Sequence, residues 1–171
     1  MGRVVLVIGG ARSGKTAFAL RRASEAPGKK VYVATAEPLD GEMEARIDAH
    51  RKQRGSLWET REEPLDLGRA LDAVCRTHPV AVVDCLTLWL SNLLCAKADL
   101  EAALAAFIDS LRTLPGPSQV FVVSNEVGMG IVPENDMARE FRDVAGRLNQ
   151  RVAEVADEVF LVLAGIPVKI K

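Results

Sequence analysis

The chain has few of the residues that proteins use to grip single-stranded nucleic acid. Aromatic side chains make up 5% of its 171 residues, with one tyrosine, two tryptophans and five phenylalanines. Base stacking needs several such rings along a basic groove, and here 22 basic residues are offset by 23 acidic ones for a formal net charge of -1. No global field draws such a chain onto nucleic acid or an anionic membrane, so any anion it binds must be held by local geometry. Cysteine is also scarce. Cys75, Cys85 and Cys95 sit ten residues apart, which fits no common metal-ligand spacing, and an odd number argues against a disulfide framework. They are expected to be small buried core residues. No apolar run approaches the length of a membrane span, and the opening MGRVVLVIGG is too soon broken by glycine to form a secretory apolar region. These absences predict a soluble protein in the reducing cytoplasm. The length predicts a single domain, residues 1–171.

What the chain does have is alternation. Apolar, β-branched runs at Val4–Ile8, Val31–Ala34, Val80–Val83, Val120–Val123 and Val159–Leu163 read as strands buried on both faces. Between them, Lys15–Ser24, Glu42–Arg51, Leu65–Arg76, Asp99–Leu111 and Met137–Ala156 are rich in alanine, leucine, arginine and glutamate and read as helices. Strand and helix in turn predict an α/β fold, a mostly parallel sheet with helices on both faces. Ligands of such sheets gather outside the carboxyl ends of the strands. Those ends carry Gly9 onward, Thr35, Asp84 and Ser124-Asn125-Glu126.

The first of them is Gly9-Gly10-Ala11-Arg12-Ser13-Gly14-Lys15-Thr16, a match to G-x-x-x-x-G-K-[ST] placed between a strand and a helix as that motif requires. Glycines let the backbone curl so that successive N–H groups aim at phosphate oxygens, and the helix N-terminus adds about half a positive charge. Lys15 is expected to reach the β- and γ-phosphates and Thr16 to ligate magnesium. Asp84 closes its strand where an acid holds magnesium through the water shell in phosphate-loop enzymes; an acid there can also cap the next helix. These features predict a phosphate-loop nucleotide enzyme without choosing among kinases, motor ATPases and switch proteins.

Glu42–Arg54 begins acidic and ends basic, in accord with the helix dipole. Arg46, His50 and Arg54 are four apart and share one face. Flanking cations disfavour the imidazolium, which leaves His50 a free lone pair beside arginines that can neutralise phosphate. Residue types alone read this either as a histidine that becomes a covalent carrier of phosphorus or as a solvated histidine on the basic end of a helix. His78, before Pro79, is expected to face solvent. Ser124–Asn135 places two glycines around Met129 on the phosphate-loop edge and reads as a segment that closes over a bulky ligand. In the helix after it, Phe141, Ala145, Leu148, Val152 and Val155 are expected to form the apolar face, with Arg139, Arg142, Gly146 and Asn149 on another. Gly146 gives up about 1 kcal/mol of helix propensity against alanine, so something is expected to approach it closely.

With these segments in hand, the chain resembles the bifunctional adenosylcobinamide kinase and adenosylcobinamide-phosphate guanylyltransferase family of cobalamin biosynthesis. The resemblance runs through GGARSGKT, YVATAEPLDGEMEARIDAHR, SNEVGMGIVPEN, FRDVAGRLNQR and GIPVKIK, nearly the whole chain, and is weakest around Glu101–Thr113. It implies a RecA-like phosphate-loop NTPase that forms homotrimers. It also implies two reactions, phosphorylation of the aminopropanol hydroxyl of adenosylcobinamide by ATP or GTP, then GMP transfer from GTP through a guanylylated histidine to give adenosylcobinamide-GDP. His50 is the only histidine in the matching segment, so the resemblance makes it the carrier, with Lys15 as the second catalytic residue. Nucleotide contacts carry over to Ile8, Gly9, Gly10, Ala11, Arg12, Ser13, Gly14, Lys15 and Thr16, to Ala34, Thr35 and Ala36, to Arg51, Lys52, Gln53 and Arg54, and to Glu62 and Asp84. Thr16 and Asp84 carry over as the Mg²⁺ residues. A carboxylate at Glu62 can accept from N1 and N2 of guanine, which adenine cannot supply. The family often has a longer acid at position 84, and aspartate there would hold magnesium through water more than directly. The alternatives are a plain phosphate-loop small-molecule kinase, a RecA-like DNA-dependent ATPase, which would need a basic stripe absent here, and a regulatory nucleotide-binding module.

Overall fold

A computed structural model describes residues 2–37, 55 and 57–171. Seven strands, β1 (Arg3–Gly9), β2 (Lys30–Ala34), β3 (Trp58–Glu62), β4 (Val80–Asp84), β5 (Gln119–Asn125), β6 (Glu158–Leu163) and β7 (Ile166–Lys169), form one sheet in the order β3-β2-β4-β5-β1-β6-β7. All neighbouring pairs are parallel except β6 with β7. The described helices are α1 (Lys15–Glu25), α2 (Leu67–Val74), α3 (Leu86–Cys95), α4 (Leu100–Arg112) and α5 (Asp136–Val155). The five strands read from apolar runs are present. The helix expected over 42–51 lies outside the described residues.

Alternation along each strand splits the core in two. Val5, Val7, Val80, Val82, Phe121 and Val123 meet Phe18, Ala19 and Ala23 of α1 on one face. Val4, Leu6, Val83, Val120 and Val122 meet α2, α3, α4 and α5 on the other, around the fully buried Trp89 and Phe107, whose ring centroids are 5.3 Å apart. The starts of α2, α4 and α5 are fixed by side-chain caps: Asp66, Asp99 and Asn135 accept from the backbone N–H of Arg69, Ala102 and Ala138.

Three elements escape the sequence reading. β3, WETRE, is exposed along most of its length at the sheet edge, so it shows no apolar run. β7 contains Pro167, which an edge strand tolerates because its missing N–H faces away from the ladder. α3, LTLWLSNLLC, is apolar on nearly every side and so has no helical period. Beside that edge, β6 is only partly buried. Cys75 and Cys85 are buried as expected, but Cys95, at the end of α3, is exposed. His78 does not simply face solvent: its side chain is 11% exposed and its Nε2 lies 3.0 Å from Glu59 Oε2. On α5, Asn149 belongs to the buried face, whereas nothing within the described chain approaches Gly146.

Candidate active site

Parallel strands place their carboxyl ends on one edge, and along it the expected residues fall in a row. Glu62 ends β3, Ala34 ends β2 with Thr35 and Ala36 just beyond, Asp84 ends β4, Asn125 ends β5 and Gly9 ends β1 after Ile8. The chain leaves β1 through Gly10, Ala11, Arg12, Ser13 and Gly14 and enters α1 at Lys15 and Thr16. His50, Arg51, Lys52, Gln53 and Arg54 lie outside the described residues. α1 crosses over β4 and β5, so the loop and its lysine stand above the strand ends that carry Asp84 and Asn125. β5 stands between β1 and β4.

Steric limits explain two of the glycines. A Cβ at Gly9 would stand 2.5 Å from Ser13 Oγ and 2.6 Å from the carbonyl oxygen of Val162, closer than atoms pack. Gly14 takes φ 91° at the N-cap of α1, where a side chain is strained. The turn between β6 and β7 supports the loop from outside: Gly165 N–H donates to the carbonyl of Ser13 at 2.8 Å. Lys15 is 8% exposed, with Nζ donating to the carbonyl of Gly10 at 3.2 Å.

Asp84 is held by a residue the sequence did not single out. Tyr32 donates its hydroxyl to Asp84 Oδ2 at 2.7 Å, fixing one carboxylate oxygen. Thr35 is fully buried, accepts from Cys85 N–H and donates to the Cys85 carbonyl, both at 2.8 Å. Burial, and then the adjacent Asp84 charge, push the Cys85 thiol up to about 11, so it stays protonated and inert. Asn92 donates to the carbonyls of Thr35 at 2.7 Å and Pro64 at 3.2 Å, joining the ends of β2 and the β3–α2 connection. It is the one amide in an apolar helix, a signal that was available in the sequence.

At β5, Glu126 N–H donates to the carbonyl of Gly9 at 3.0 Å, and Asn125 N–H donates to Thr87 Oγ1 at 2.8 Å. Asn149 reaches across from α5 to donate to the Asn125 carbonyl at 3.2 Å. Among the described residues, three buried side-chain atoms have no hydrogen-bond partner: Ser13 Oγ, Asn125 Oδ1 and Asn149 Oδ1. All three belong to this corner. Beyond it, Met129, Ile131, Val132 and Met137 are exposed by 58% or more. No group of three metal-ligating side chains occurs among the described residues. Thr16 and Asp84 still fit magnesium, which is bound by hard oxygen ligands and usually keeps several waters and phosphate oxygens.

Comparison with known proteins sharpens the reading. Residues 5–170 match the family described as cobinamide kinase / cobinamide phosphate guanyltransferase. The chain is 42% identical to the bifunctional adenosylcobalamin biosynthesis protein CobP of Pseudomonas aeruginosa, over 97% of this chain and 96% of that one. It is 43% identical to the bifunctional adenosylcobalamin biosynthesis protein CobU of Salmonella typhimurium, over 98% and 99%, and 41% identical to that of Escherichia coli, over the same shares. Among solved structures, an ATPase of a type III secretion system covers 93% of this chain and 50% of its own with a TM-score of 0.50 at 13% identity, a likeness of fold alone. The fold is that of a RecA-like phosphate-loop NTPase, and the chain belongs to the cobinamide kinase and cobinamide phosphate guanyltransferase family, the bifunctional enzymes of adenosylcobalamin biosynthesis.

Proposed function

We propose that this protein phosphorylates the aminopropanol hydroxyl of adenosylcobinamide with ATP or GTP, then transfers GMP from GTP through His50 to give adenosylcobinamide-GDP. The observation that carries this reading is the match to bifunctional relatives over 97% or more of the chain. The phosphate loop alone supports only a triphosphate site.

In the first step the loop N–H groups and Lys15 hold the β- and γ-phosphates, where charge develops as the bridging bond breaks. Thr16 and Asp84 would hold Mg²⁺, which would supply further positive charge to the phosphates. In the second step the His50 imidazole attacks the α-phosphorus of GTP, and the bond to the α,β-bridging oxygen breaks to release pyrophosphate. The substrate phosphate then attacks the same phosphorus, the phosphorus–nitrogen bond breaks and the imidazole is restored. Arg51, Lys52, Gln53 and Arg54 follow His50 in sequence and are assigned to the nucleotide. Glu62, two strands from Asp84 on the same edge, is assigned to guanine. The exposed apolar side chains of Met129, Ile131 and Val132 suit the closure of that loop over a bulky corrinoid. The working unit is a cytoplasmic homotrimer.

Intact mass after incubation with GTP and Mg²⁺ tests the carrier. One GMP adduct per chain is expected, stable to alkali, labile to acid and mapped to His50. His50→Ala should lose the adduct and GMP transfer while still phosphorylating adenosylcobinamide. An adduct on another residue, or GMP transfer by the variant, would remove His50 as the carrier, and no adduct at all in the wild type would leave a plain kinase.

A further inference from the structure

The corner between the phosphate loop and β5 has more hydrogen-bonding capacity than the protein itself uses. Buried polar atoms nearly always find partners, because leaving one unpaired costs about 1–3 kcal/mol. Here Ser13 Oγ and Asn125 Oδ1 have none. Gly9 and Asn125 are register partners on adjacent parallel strands, so their side-chain directions lie on the same face of the sheet. Ser13 Oγ occupies the space in front of Gly9, 2.5 Å from where a Cβ would stand. The serine and the asparagine therefore stand over the ends of adjacent strands, β1 and β5, on the face that α1 covers. The backbone that carries Asn125 is fixed from both sides, by Thr87 on its N–H and by Asn149 on its carbonyl. Its residue is part-exposed at the strand end although its amide oxygen is closed off. The Cβ–Cγ torsion of asparagine is broad and roughly two-fold, so a half turn brings the oxygen to the open edge.

We propose that Asn125 aligns the attacking hydroxyl in the phosphoryl-transfer step, with Ser13 donating to the γ-phosphoryl group beside it. The inference rests on the kinase half of the proposed function and adds the residue that positions its acceptor. Phosphoryl transfer requires attacking oxygen and phosphorus at about 3–3.5 Å. A donor to a γ-oxygen and an acceptor from the hydroxyl, over adjacent strand ends, span such a pair. The new bond joins the hydroxyl oxygen to the γ-phosphorus, the bond from that phosphorus to the β,γ-bridging oxygen breaks, and the nucleoside diphosphate leaves with the electron pair. The hydroxyl proton passes to an oxygen of the transferred phosphoryl group. Asn125 only accepts a hydrogen bond, and the loose transition state of this reaction requires no strong base.

Asn125→Ala in the full chain separates a positioning role from a structural one. With adenosylcobinamide, ATP and Mg²⁺, kcat for phosphorylation should fall about 10–100-fold, with KM for ATP within about twofold of wild type. GMP labelling by GTP should proceed at the wild-type rate. The thermal midpoint should be unchanged or higher, because the substitution removes an unpaired buried acceptor. Asn125→Ser, which keeps an acceptor oxygen, should recover part of the lost kcat. An unchanged kcat would overturn the inference, as would a parallel loss of kcat, GMP labelling and thermal midpoint. Wild-type protein that forms the GMP adduct but phosphorylates no adenosylcobinamide would remove the kinase reading itself and the inference with it.

Discussion

Lys15 is almost enclosed, with its ammonium turned onto the carbonyl of Gly10. A cation in so dry a place interacts with phosphate far more strongly than one in water, and the loop around it is already curled. Lys15→Ala should therefore lose at least about 10²-fold in the rates of both phosphorylation and GMP transfer, read in separate assays, and near-normal turnover in either would place the triphosphate elsewhere. This residue was legible in the sequence because the glycine and lysine spacing of the loop is imposed by local backbone geometry. Tyr32 and Asn149 were not. Tyr32 acts on Asp84 from 52 residues away and Asn149 on Asn125 from 24, and no local pattern announces a contact made by folding. The cysteines show the same limit: burial, then the Asp72 charge, pushes Cys75 up to about 12, and Cys85 rises to about 11, while Cys95 is exposed. Alkylation of the native protein near neutral pH should label Cys95 alone, and all three in denaturant. Prompt labelling of Cys85 in the native state would contradict the burial at the end of β4.

Among the elements, β1, β2, β4 and β5 were readable because they are covered on both faces and must be apolar there, and β6, though only partly buried, keeps an apolar run. β3 and β7 were not, because a sheet edge relaxes that demand. α3 failed for the opposite reason, since a helix buried nearly all round loses its period. Helix pairing adds a constraint that only the fold reveals. α2 lies so close to α4 that a Cβ on Gly68 would stand 3.0 Å from the backbone carbonyl of Ala106, and Ser110 Oγ donates to the Gly68 carbonyl at 3.0 Å. Alanine at position 68 would gain at most about 1 kcal/mol in helix propensity, whereas forcing two helix backbones apart costs about 1–3 kcal/mol. The second term wins. Gly68→Ala should lower unfolding free energy by up to about 2 kcal/mol in urea titration, with activity per folded molecule retained. A stabilised variant would mean that the two helices can part freely.

Over the whole molecule, one buried carboxylate joins the beginning of the chain to its end. Glu158 on β6 accepts from Lys169 of β7 at 2.5 Å and from Arg3 of β1 at 2.6 Å, with Arg22 of α1 at 3.7 Å, and its own side chain is 10% exposed. The Lys169 hydrogen bond lowers its pKa, burial opposes this, and the charges of Arg3, Lys169 and Arg22 lower it further, so the carboxyl sits below its ordinary range in the folded state. A carboxylate whose folded pKa is depressed binds fewer protons folded than unfolded through that interval, so its stabilisation is complete above the unfolded value, ~4.3, and is lost as pH falls through the folded one. The three cations are about half or more covered by protein and the rest of their surface is solvated, which weakens each pair. Hydrogen bonds to charged groups contribute about 1.5–3 kcal/mol, and with that screening Glu158→Gln should lose about 2 kcal/mol at pH 7. The difference between wild type and variant should then shrink steadily as urea titrations are repeated from pH 5 downward, since protonated glutamate and glutamine are then both neutral. A difference that stays constant across that range would assign the loss to packing at β6 instead of to the charge that ties β1, α1 and β7 together.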